Sequence, residues 1–236
     1  MTSLQKMALA GLAFMLTTTG GAAALAADAA HPVVVELFQS QGCSSCPPAN
    51  ANLLTVAGRP DVLALSFGVT YWDQLGWKDT FAKREFTERQ WDYAHAFKRG
   101  EVFTPQIVVN GRINGVGADR GEFANLIRQG DRGAGGPSLN LQADAVTVGA
   151  AAAPAQGADV LLVRYDPRTV EVPIRAGENG GRTLPHRNVV KELVRLGVWN
   201  GRAARFVIPP ASDPALSTAV LVQSAKAGSI LAAAKG

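Results

Sequence analysis

Cys43 and Cys46 are the residues whose types and spacing point most directly to chemistry, and they are the only cysteines among the 236 residues. They are separated by two serines and follow an apolar run, residues 33–38, that predicts a buried strand. A Cys-x-x-Cys pair that opens a helix has stabilised thiolates, because the free N–H groups and the dipole of a helix N-terminus favour negative charge. The spacing therefore predicts a redox disulfide that other thiols can exchange.

Residues 1–26 are typical of a secretory signal peptide. A single basic residue, Lys6, precedes an apolar run at 7–16 that is too short to cross a bilayer, which takes roughly 20 residues. Ala24 and Ala26 then form a small-x-small cleavage site. An uncleaved anchor is the alternative. We therefore expect a periplasmic or secreted bacterial protein, in a compartment where two cysteines usually pair.

Composition narrows the classes of partner. The net charge of +4 is spread along the chain, and no basic cluster is interleaved with aromatic residues. Nucleic-acid binding is therefore not expected, and no later run is apolar enough to hold the protein at a membrane once the signal peptide is removed. The predicted partners are thiols or disulfides of other exported proteins. No cofactor is expected, and the oligomeric state is left open.

A Gly- and Pro-rich stretch at 131–137 divides the mature chain into two predicted domains. Residues 31–132 alternate strand and helix patterns, which predicts an α/β fold with a mixed sheet flanked by helices. Asn110-Gly111 predicts a tight hairpin between the last two strands. The predicted strands are 33–38, 61–69, 106–109 and 112–117, and the predicted helices are 49–56, 122–129 and most of 77–99.

Residues 137–236 predict a β-rich accessory domain. Residues 149–157 are rich in Ala and predict a long hairpin loop. Residues 188–196 fit either a helix or a strand, because their apolar residues recur at helical spacing but are mostly β-branched. The predicted strands are 139–148, 160–165, 170–174, 205–208, 219–222 and 230–233.

The element order of residues 31–132, with Cys-x-x-Cys after the first strand, resembles the thioredoxin fold. Thr104-Pro105 strengthens the resemblance, because it stands just before the third strand, where thioredoxins and glutaredoxins carry a cis proline beside the cysteines. The resemblance implies that Cys43 is an exposed nucleophile and Cys46 the resolving thiol. It also implies that Pro105 lies on the substrate side and that Thr104 offers its backbone to a substrate chain as an added edge strand.

The whole pattern is also similar to a bacterial family of thioredoxin-like predicted secreted proteins, domain of unknown function 1223. The motifs that carry the similarity are Glu-Leu-Phe at 36–38, Cys-Ser-Ser-Cys-Pro at 43–47, Thr-Pro-Gln at 104–106 and the Gly-rich run at 177–186. The resemblance covers nearly the entire mature chain. It implies the fold and export, and it implies no established substrate.

Four residues outside the cysteine pair have two interpretations each. Glu36 lies in the strand before the cysteines, where thioredoxins often bury an acid, so it is a candidate for proton transfer. The alternative is an edge or solvent-facing acid. Trp72, Trp77 and Trp91 lie in a segment longer than the simplest thioredoxins carry. These tryptophans either cap the site or pack in the core.

A second polar cluster lies in the Gly-rich loop of a region that is otherwise lean in charge. Glu178, Asn179, Arg182 and His186 belong to it. One interpretation is a lip over the cysteines, in which Arg182 or His186 stabilises the thiolate. The other is a hydrogen-bonded loop that ties the two regions together.

Together these residues predict thiol–disulfide exchange on exported proteins, with the direction of electron flow left open. A binding module with a structural disulfide is one alternative, although so short a bridge adds little chain entropy. Handling of Cu(I) or another soft metal is the other. No metal site is predicted, because zinc normally takes four ligands and no second Cys/His pair accompanies the cysteines.

Overall fold

The computed structural model describes residues 26–236, so the predicted signal peptide lies outside the described residues except for Ala26. This part of the chain is a mixed α/β structure. None of its helices is long and apolar enough to cross a membrane. The helices are α1 (Cys46–Val56), α2 (Arg84–Ala96) and α3 (Arg120–Gly130). The strands are β1 (Val33–Gln39), β2 (Val62–Gly68), β3 (Gln106–Val109), β4 (Ile113–Gly115), β5 (Leu139–Leu141), β6 (Ala145–Val148), β7 (Ala158–Asp166), β8 (Val170–Pro173), β9 (Thr183–His186), β10 (Val189–Trp199), β11 (Ala204–Val207), β12 (Ser217–Ser224) and β13 (Ile230–Lys235).

Eight strands form one large mixed sheet in the order β13-β12-β7-β10-β2-β1-β3-β4. β1 is parallel to β2 and antiparallel to β3, and β10 joins β2 through a parallel pairing of Val189 with Ser66. Strands from both predicted domains therefore share one sheet. A domain boundary at 133–136 stays a prediction, and the sheet is continuous across it. Two smaller sheets have the orders β11-β6-β5 and β8-β9.

Strand β1 is buried on both faces, and its alternating side chains build two halves of the core. Val35 and Leu37 pack with Leu53 of α1 on one face. Val34 and Phe38 pack with residues of α2 on the other. Because successive side chains of a strand point to opposite faces, each face of the sheet meets a different helix.

Helix α1 begins at Cys46, three residues before the predicted start. Pro47 and Pro48 occupy its first turn, where backbone N–H groups have no helical partner and proline is tolerated. The two prolines therefore belong to the helix and do not shift its start to a later residue. This start places the helix N-terminus at the cysteine pair.

Several other predicted elements differ from the structure. Of the segment 188–196, which fitted either a helix or a strand, residues 189–196 belong to strand β10, because pairing with β7 outweighs the helical spacing. The predicted helix within 77–99 begins only at Arg84. The single strand predicted at 139–148 is two antiparallel strands, β5 and β6. The prediction of a hairpin loop at 149–157 is wrong, since these residues join β6 to β7 and the two strands belong to different sheets.

Candidate functional site

Cys43 and Cys46 form a disulfide at the point where β1 gives way to α1. Their Cα atoms are 5.5 Å apart, and the two serines between them are exposed. The cysteines themselves are 0% and 1% exposed. The expectation of an exposed Cys43 is therefore wrong for the disulfide form, because neighbouring segments cover the pair.

Thr104, which a cis peptide joins to Pro105, lies against the first cysteine. Its hydroxyl donates to Cys43 Sγ at 3.4 Å, and its carbonyl oxygen lies 3.9 Å from the same sulfur. Ser45 Oγ lies 3.2 Å from Cys43 Sγ and 3.4 Å from that carbonyl oxygen. The cis peptide and the proximity expected from the sequence are both present, since the start of β3 lies beside the cysteine turn.

Residues 71–80, which we call the cap segment, lie beside the disulfide. Trp72 donates its indole N–H to Thr104 Oγ1 at 2.7 Å. Trp77 donates its indole N–H to Gln41 Oε1 at 3.0 Å. Both rings are half-buried and also pack against buried apolar clusters, so these two of the three tryptophans combine the two interpretations, a cap at the site and packing in the core. The third lies on α2, where its ring packs beside a histidine.

Gln41 connects the cysteine turn to the cap segment. Its backbone N–H donates to Asp79 Oδ2 at 2.7 Å, and its side-chain amide donates to Thr80 Oγ1 at 2.9 Å. Burial raises the pKa of the Asp79 carboxyl, although hydrogen bonds from backbone N–H groups oppose the shift. Asp79 could not be predicted from the sequence, because nothing in the spacing of an isolated aspartate links it to a turn 38 residues earlier.

Residues 174–182, the cover loop, connect β8 to β9 and lie over the cysteine turn. Glu178 Oε2 accepts a hydrogen bond from the backbone N–H of Ser44 at 3.0 Å. Hydrogen bonding with Ser44 lowers the pKa of Glu178, so its carboxylate is ionised at neutral pH. The cover loop thus brings a negative charge to the start of α1, beside the cysteines.

Asn179 is the polar residue of the cover loop that is fully buried. Its side-chain amide donates to the carbonyl oxygens of Gln41 and Cys43, each at 2.9 Å. Arg182 donates to Asn179 Oδ1 at 2.8 Å and, within residues 26–236, makes no hydrogen bond to a cysteine. Both interpretations of this cluster therefore describe part of it: the loop lies over the cysteines and also ties the two regions together.

His186 lies on β9, where it is 3% exposed and packs edge-to-face with Phe81 at 5.5 Å between ring centroids. Burial, assisted by the positive charge of Lys191, lowers the pKa of His186 to about 4. The ring is therefore neutral at pH 7 and supplies no charge to a thiolate. It lines a groove of about 450 Å³ beside Cys46 and the prolines of α1.

Glu36 lies on the face of the sheet that α2 covers. Arg89 Nε donates to Glu36 Oε1 at 2.7 Å, and the Tyr93 hydroxyl donates to the other carboxylate oxygen. Gln223 of β12 accepts from Arg89 at 3.1 Å. A strand alternates its faces, so a shift of one residue turns this acid away from α1. Proton transfer by Glu36 stays a prediction, while the geometry gives it a buried ion pair.

One family model, described as a protein of unknown function (DUF1223), matches residues 34–223. The chain belongs to the DUF1223 family. The matched range includes the cysteine pair, Thr104 and the cover loop. No curated protein matches the chain.

Two solved structures are similar to this DUF1223 chain. A crystal structure of a protein from Agrobacterium tumefaciens is 33% identical, with a TM-score of 0.72 over 89% of this chain and 94% of that one. HBP35 of Porphyromonas gingivalis is 14% identical, with a TM-score of 0.58 over 87% of this chain and 74% of that one. At the lower identity the likeness concerns the fold alone.

In this member of the DUF1223 family the cysteine geometry is compatible with a redox disulfide and with a structural one. Within residues 26–236, no group of three or more His, Cys, Asp or Glu side chains is arranged to hold a metal ion. The described part of the site therefore consists of the disulfide, its hydrogen-bond donors and two nearby carboxylates.

Proposed function

We propose that the Cys43–Cys46 pair catalyses thiol–disulfide exchange with other exported proteins. The contact between Cys43 Sγ and the Thr104 hydroxyl gives this proposal its main support. A hydroxyl that donates to sulfur stabilises the thiolate, as does the dipole of α1. A disulfide that only braced the fold would need neither group.

A thioredoxin-like fold is part of the same proposal. The order β2-β1-β3-β4, with α1 directly after β1, matches the arrangement that the sequence resemblance implies. Export through a cleaved signal peptide at residues 1–26 also belongs to it, since disulfides persist in oxidising compartments.

The exchange proceeds in two substitutions at sulfur. The Cys43 thiolate attacks one sulfur of a partner disulfide, so a Cys43–partner bond forms, the partner S–S bond breaks, and the leaving thiolate takes a proton. The Cys46 thiolate then attacks Cys43 Sγ, re-forms the disulfide and releases the second partner sulfur, which is protonated in turn. Two electrons and two protons pass to the partner. The reverse sequence oxidises a partner dithiol.

Access to the pair requires movement, because both cysteines are buried in the disulfide form. Two kinds of hydrogen bond hold the cover loop to the turn. Asn179 donates to carbonyl oxygens of the turn, and Glu178, which is exposed, accepts from the Ser44 N–H. We propose that a partner first meets the exposed serines of the turn and displaces this loop.

Burial of the cysteines also favours a second candidate, a binding module with a structural disulfide. Such a disulfide would hold the turn beneath the cover loop and take no part in exchange. The loop that it closes is very short, so its entropic contribution to stability is small. The two candidates differ in how easily the disulfide is reduced.

The first experiment measures the reduction potential of the pair in the mature protein, by equilibration with glutathione buffers and alkylation of free thiols. We expect a value between about −120 and −270 mV, the range of exchange catalysts. A value well below about −300 mV describes an inert disulfide and would overturn the proposal in favour of the binding module.

Cysteine variants test the roles of the two sulfurs. Cys43→Ser should abolish the reduction of a model disulfide peptide, and Cys46→Ser should accumulate mixed disulfides with partners. Asn140→Ala, an exposed position on β5, is the control and should react like the wild type. Undiminished activity of Cys43→Ser would contradict the mechanism.

A further inference from the structure

Trp72, Thr104 and Cys43 form a chain of two hydrogen bonds. The indole N–H of Trp72 donates to Thr104 Oγ1 at 2.7 Å, and Thr104 Oγ1 donates to Cys43 Sγ at 3.4 Å. An indole N–H is a donor only, so the threonine oxygen accepts from it. The single hydroxyl hydrogen is then left to donate, and Cys43 Sγ is the acceptor that it reaches.

We propose that Trp72 is a positioning residue of the redox pair, which by donating to Thr104 directs the threonine hydroxyl onto Cys43 Sγ and so stabilises the Cys43 thiolate. This inference deepens the proposed function and rests on it for its biological meaning. Because hydrogen bonds in a chain polarise one another, the indole also strengthens the donation that it directs. Trp72 acts on the sulfur only through Thr104.

The charges around the cysteine pair make the hydrogen bonds from Trp72 to Thr104 and from Thr104 to Cys43 important for the thiolate, because both donors are neutral. Glu178 of the cover loop and Asp79 of the cap segment accept hydrogen bonds from the N–H groups of Ser44 and Gln41, so both carboxyl groups face the cysteine turn. A nearby negative charge disfavours a thiolate. Within residues 26–236, no Lys or Arg side chain makes a hydrogen bond to residues 40–46.

One further titratable group lies in the cap segment near Thr104. Burial raises the pKa of Tyr71 to about 12, so its hydroxyl stays protonated and neutral over the working range of a thiol. The first turn of α1 has few N–H groups to offer, because Pro47 and Pro48 have none and the Cys46 N–H donates to the Cys43 carbonyl oxygen. The stabilisation of the thiolate is therefore left to the dipole of α1 and to neutral hydroxyl donors. Of these donors, Thr104 is the one whose direction another side chain fixes.

The direction of the effect follows from linkage. Stabilising the thiolate stabilises the reduced protein, which makes the pair a stronger oxidant. Loss of the Trp72 N–H should therefore shift the equilibrium toward the disulfide and lower the reduction potential.

Trp72→Phe tests this directly, because it keeps an aromatic ring and removes the donor. We expect the equilibrium to shift about three- to tenfold toward the disulfide, which is about 15 to 30 mV for a two-electron couple. The pKa of the Cys43 thiol should rise. Trp91→Phe, on the surface of α2, is the matched control and should leave both quantities unchanged.

A double-variant cycle separates positioning from simple packing. Thr104→Val should produce the same shift as Trp72→Phe, and Thr104→Ser, which keeps the hydroxyl, should restore the wild-type potential. The double variant Trp72→Phe with Thr104→Val should shift no further than Thr104→Val alone. Additive shifts, or an unchanged potential in Trp72→Phe, would overturn the inference.

The wild-type protein offers a measurement that does not depend on variants folding. With ¹⁵N-labelled tryptophan, the indole N–H resonance of Trp72 should move when the disulfide is reduced and should titrate with the Cys43 thiol. The Trp91 resonance should do neither. A Trp72 resonance that ignores reduction would refute the inference.

These readouts need no partner protein, so they are independent of exchange activity. A potential below about −300 mV with an intact Trp72 effect would reject the proposed function and keep the hydrogen-bond chain. A potential in the catalytic range without a Trp72 effect would keep the proposed function and reject the positioning role of Trp72.

Discussion

The polar groups under α2 and those around the disulfide form two clusters of opposite character. The first, the ion-pair cluster, consists of Glu36, Arg89, Tyr93 and Gln223. All four are buried, and the opposite charges meet at 2.7 Å. Gln223 also bonds the Tyr93 hydroxyl at 3.0 Å, so strands β1 and β12 and helix α2 share one closed network.

The second, the disulfide cluster, consists of the cysteine pair, Thr104, Trp72 and the cover loop. Its rim is exposed at the serines and at Glu178. Of the six buried polar atoms without a partner within residues 26–236, three lie near it, namely the Tyr71 hydroxyl, Gln90 Oε1 and His186 Nε2. The ion-pair cluster is closed on itself inside the fold, whereas the disulfide cluster reaches the surface, where a partner of the proposed exchange would arrive.

Breaking the ion-pair cluster should have the largest effect. Arg89→Met removes the partner of a fully buried carboxylate, which we expect to reduce the free energy of unfolding by about 3–5 kcal/mol in urea titrations. The reduction potential of the disulfide should not change.

The double variant Glu36→Gln with Arg89→Met is the control, because it removes both charges and should recover much of the loss. A changed potential in Arg89→Met would show that Glu36 takes part in the redox chemistry, as its predicted role in proton transfer requires.

His186, the buried histidine of β9 that lines the groove beside Cys46, should make stability depend on pH. In the unfolded chain His186 is protonated below its ordinary pKa of 6.5. In the folded protein its pKa is about 4, so the ring is protonated only at a lower pH. The free energy of unfolding should therefore fall as the pH falls from about 6.5 to about 4, by about 3 kcal/mol from this group.

In His186→Phe the free energy of unfolding should depend less on pH, which parallel urea titrations at pH 4 and pH 7 would measure. His95→Phe, at an exposed position on α2, should keep it. Identical slopes for the wild type and His186→Phe would contradict the burial of a neutral ring.

Loosening the cover loop should have a moderate effect. Asn179→Ala leaves the Gln41 carbonyl oxygen without its donor and the Cys43 carbonyl oxygen with the Cys46 N–H alone, and we expect a loss of about 1–3 kcal/mol in the free energy of unfolding. Dithiothreitol should reduce the disulfide faster in this variant, measured by thiol release under native conditions. Unaltered reduction kinetics, with Asn140→Ala as reference, would mean that the loop does not control access.

Changing the charge at the rim should have the smallest effect. Glu178→Gln keeps an acceptor for the Ser44 N–H but removes a negative charge beside the thiolate, so the equilibrium should shift about two- to threefold toward the reduced form. The shift should shrink at about 1 M salt, because exposed charges are screened. This direction is opposite to that expected for Trp72→Phe, and a shift of the same sign would contradict the electrostatic account.

Much of the first half of the fold was accessible from sequence because its strands are continuous apolar runs. β1, β2 and β3 lie within one or two residues of their predictions. β9 was missed, since Gly, Pro and polar residues surround Leu184 and give no period-two pattern. The joining of the two regions in one sheet was also missed, because pairing between distant strands leaves no local trace.

The candidate site also contains contacts that could be predicted from the sequence and contacts that could not. The proximity of Cys43 and Thr104 was expected, because it follows from a recognisable order of elements. The roles of Trp72 and Asp79 were not, because each depends on a contact that only the folded chain creates. The exposure of Cys43 was predicted wrongly for a related reason, since the groups that cover it come from the cap segment and the distant cover loop.

Asn179 follows Cys43 by 136 residues. A ribosome makes the chain from its N-terminus, so the cysteines emerge long before the side chain that closes their turn exists. Until then both thiols are open to any oxidant or reductant that the nascent chain meets. The order of synthesis therefore gives a newly made chain an early period of access to its thiols, and the folded protein regains that access only when the cover loop moves.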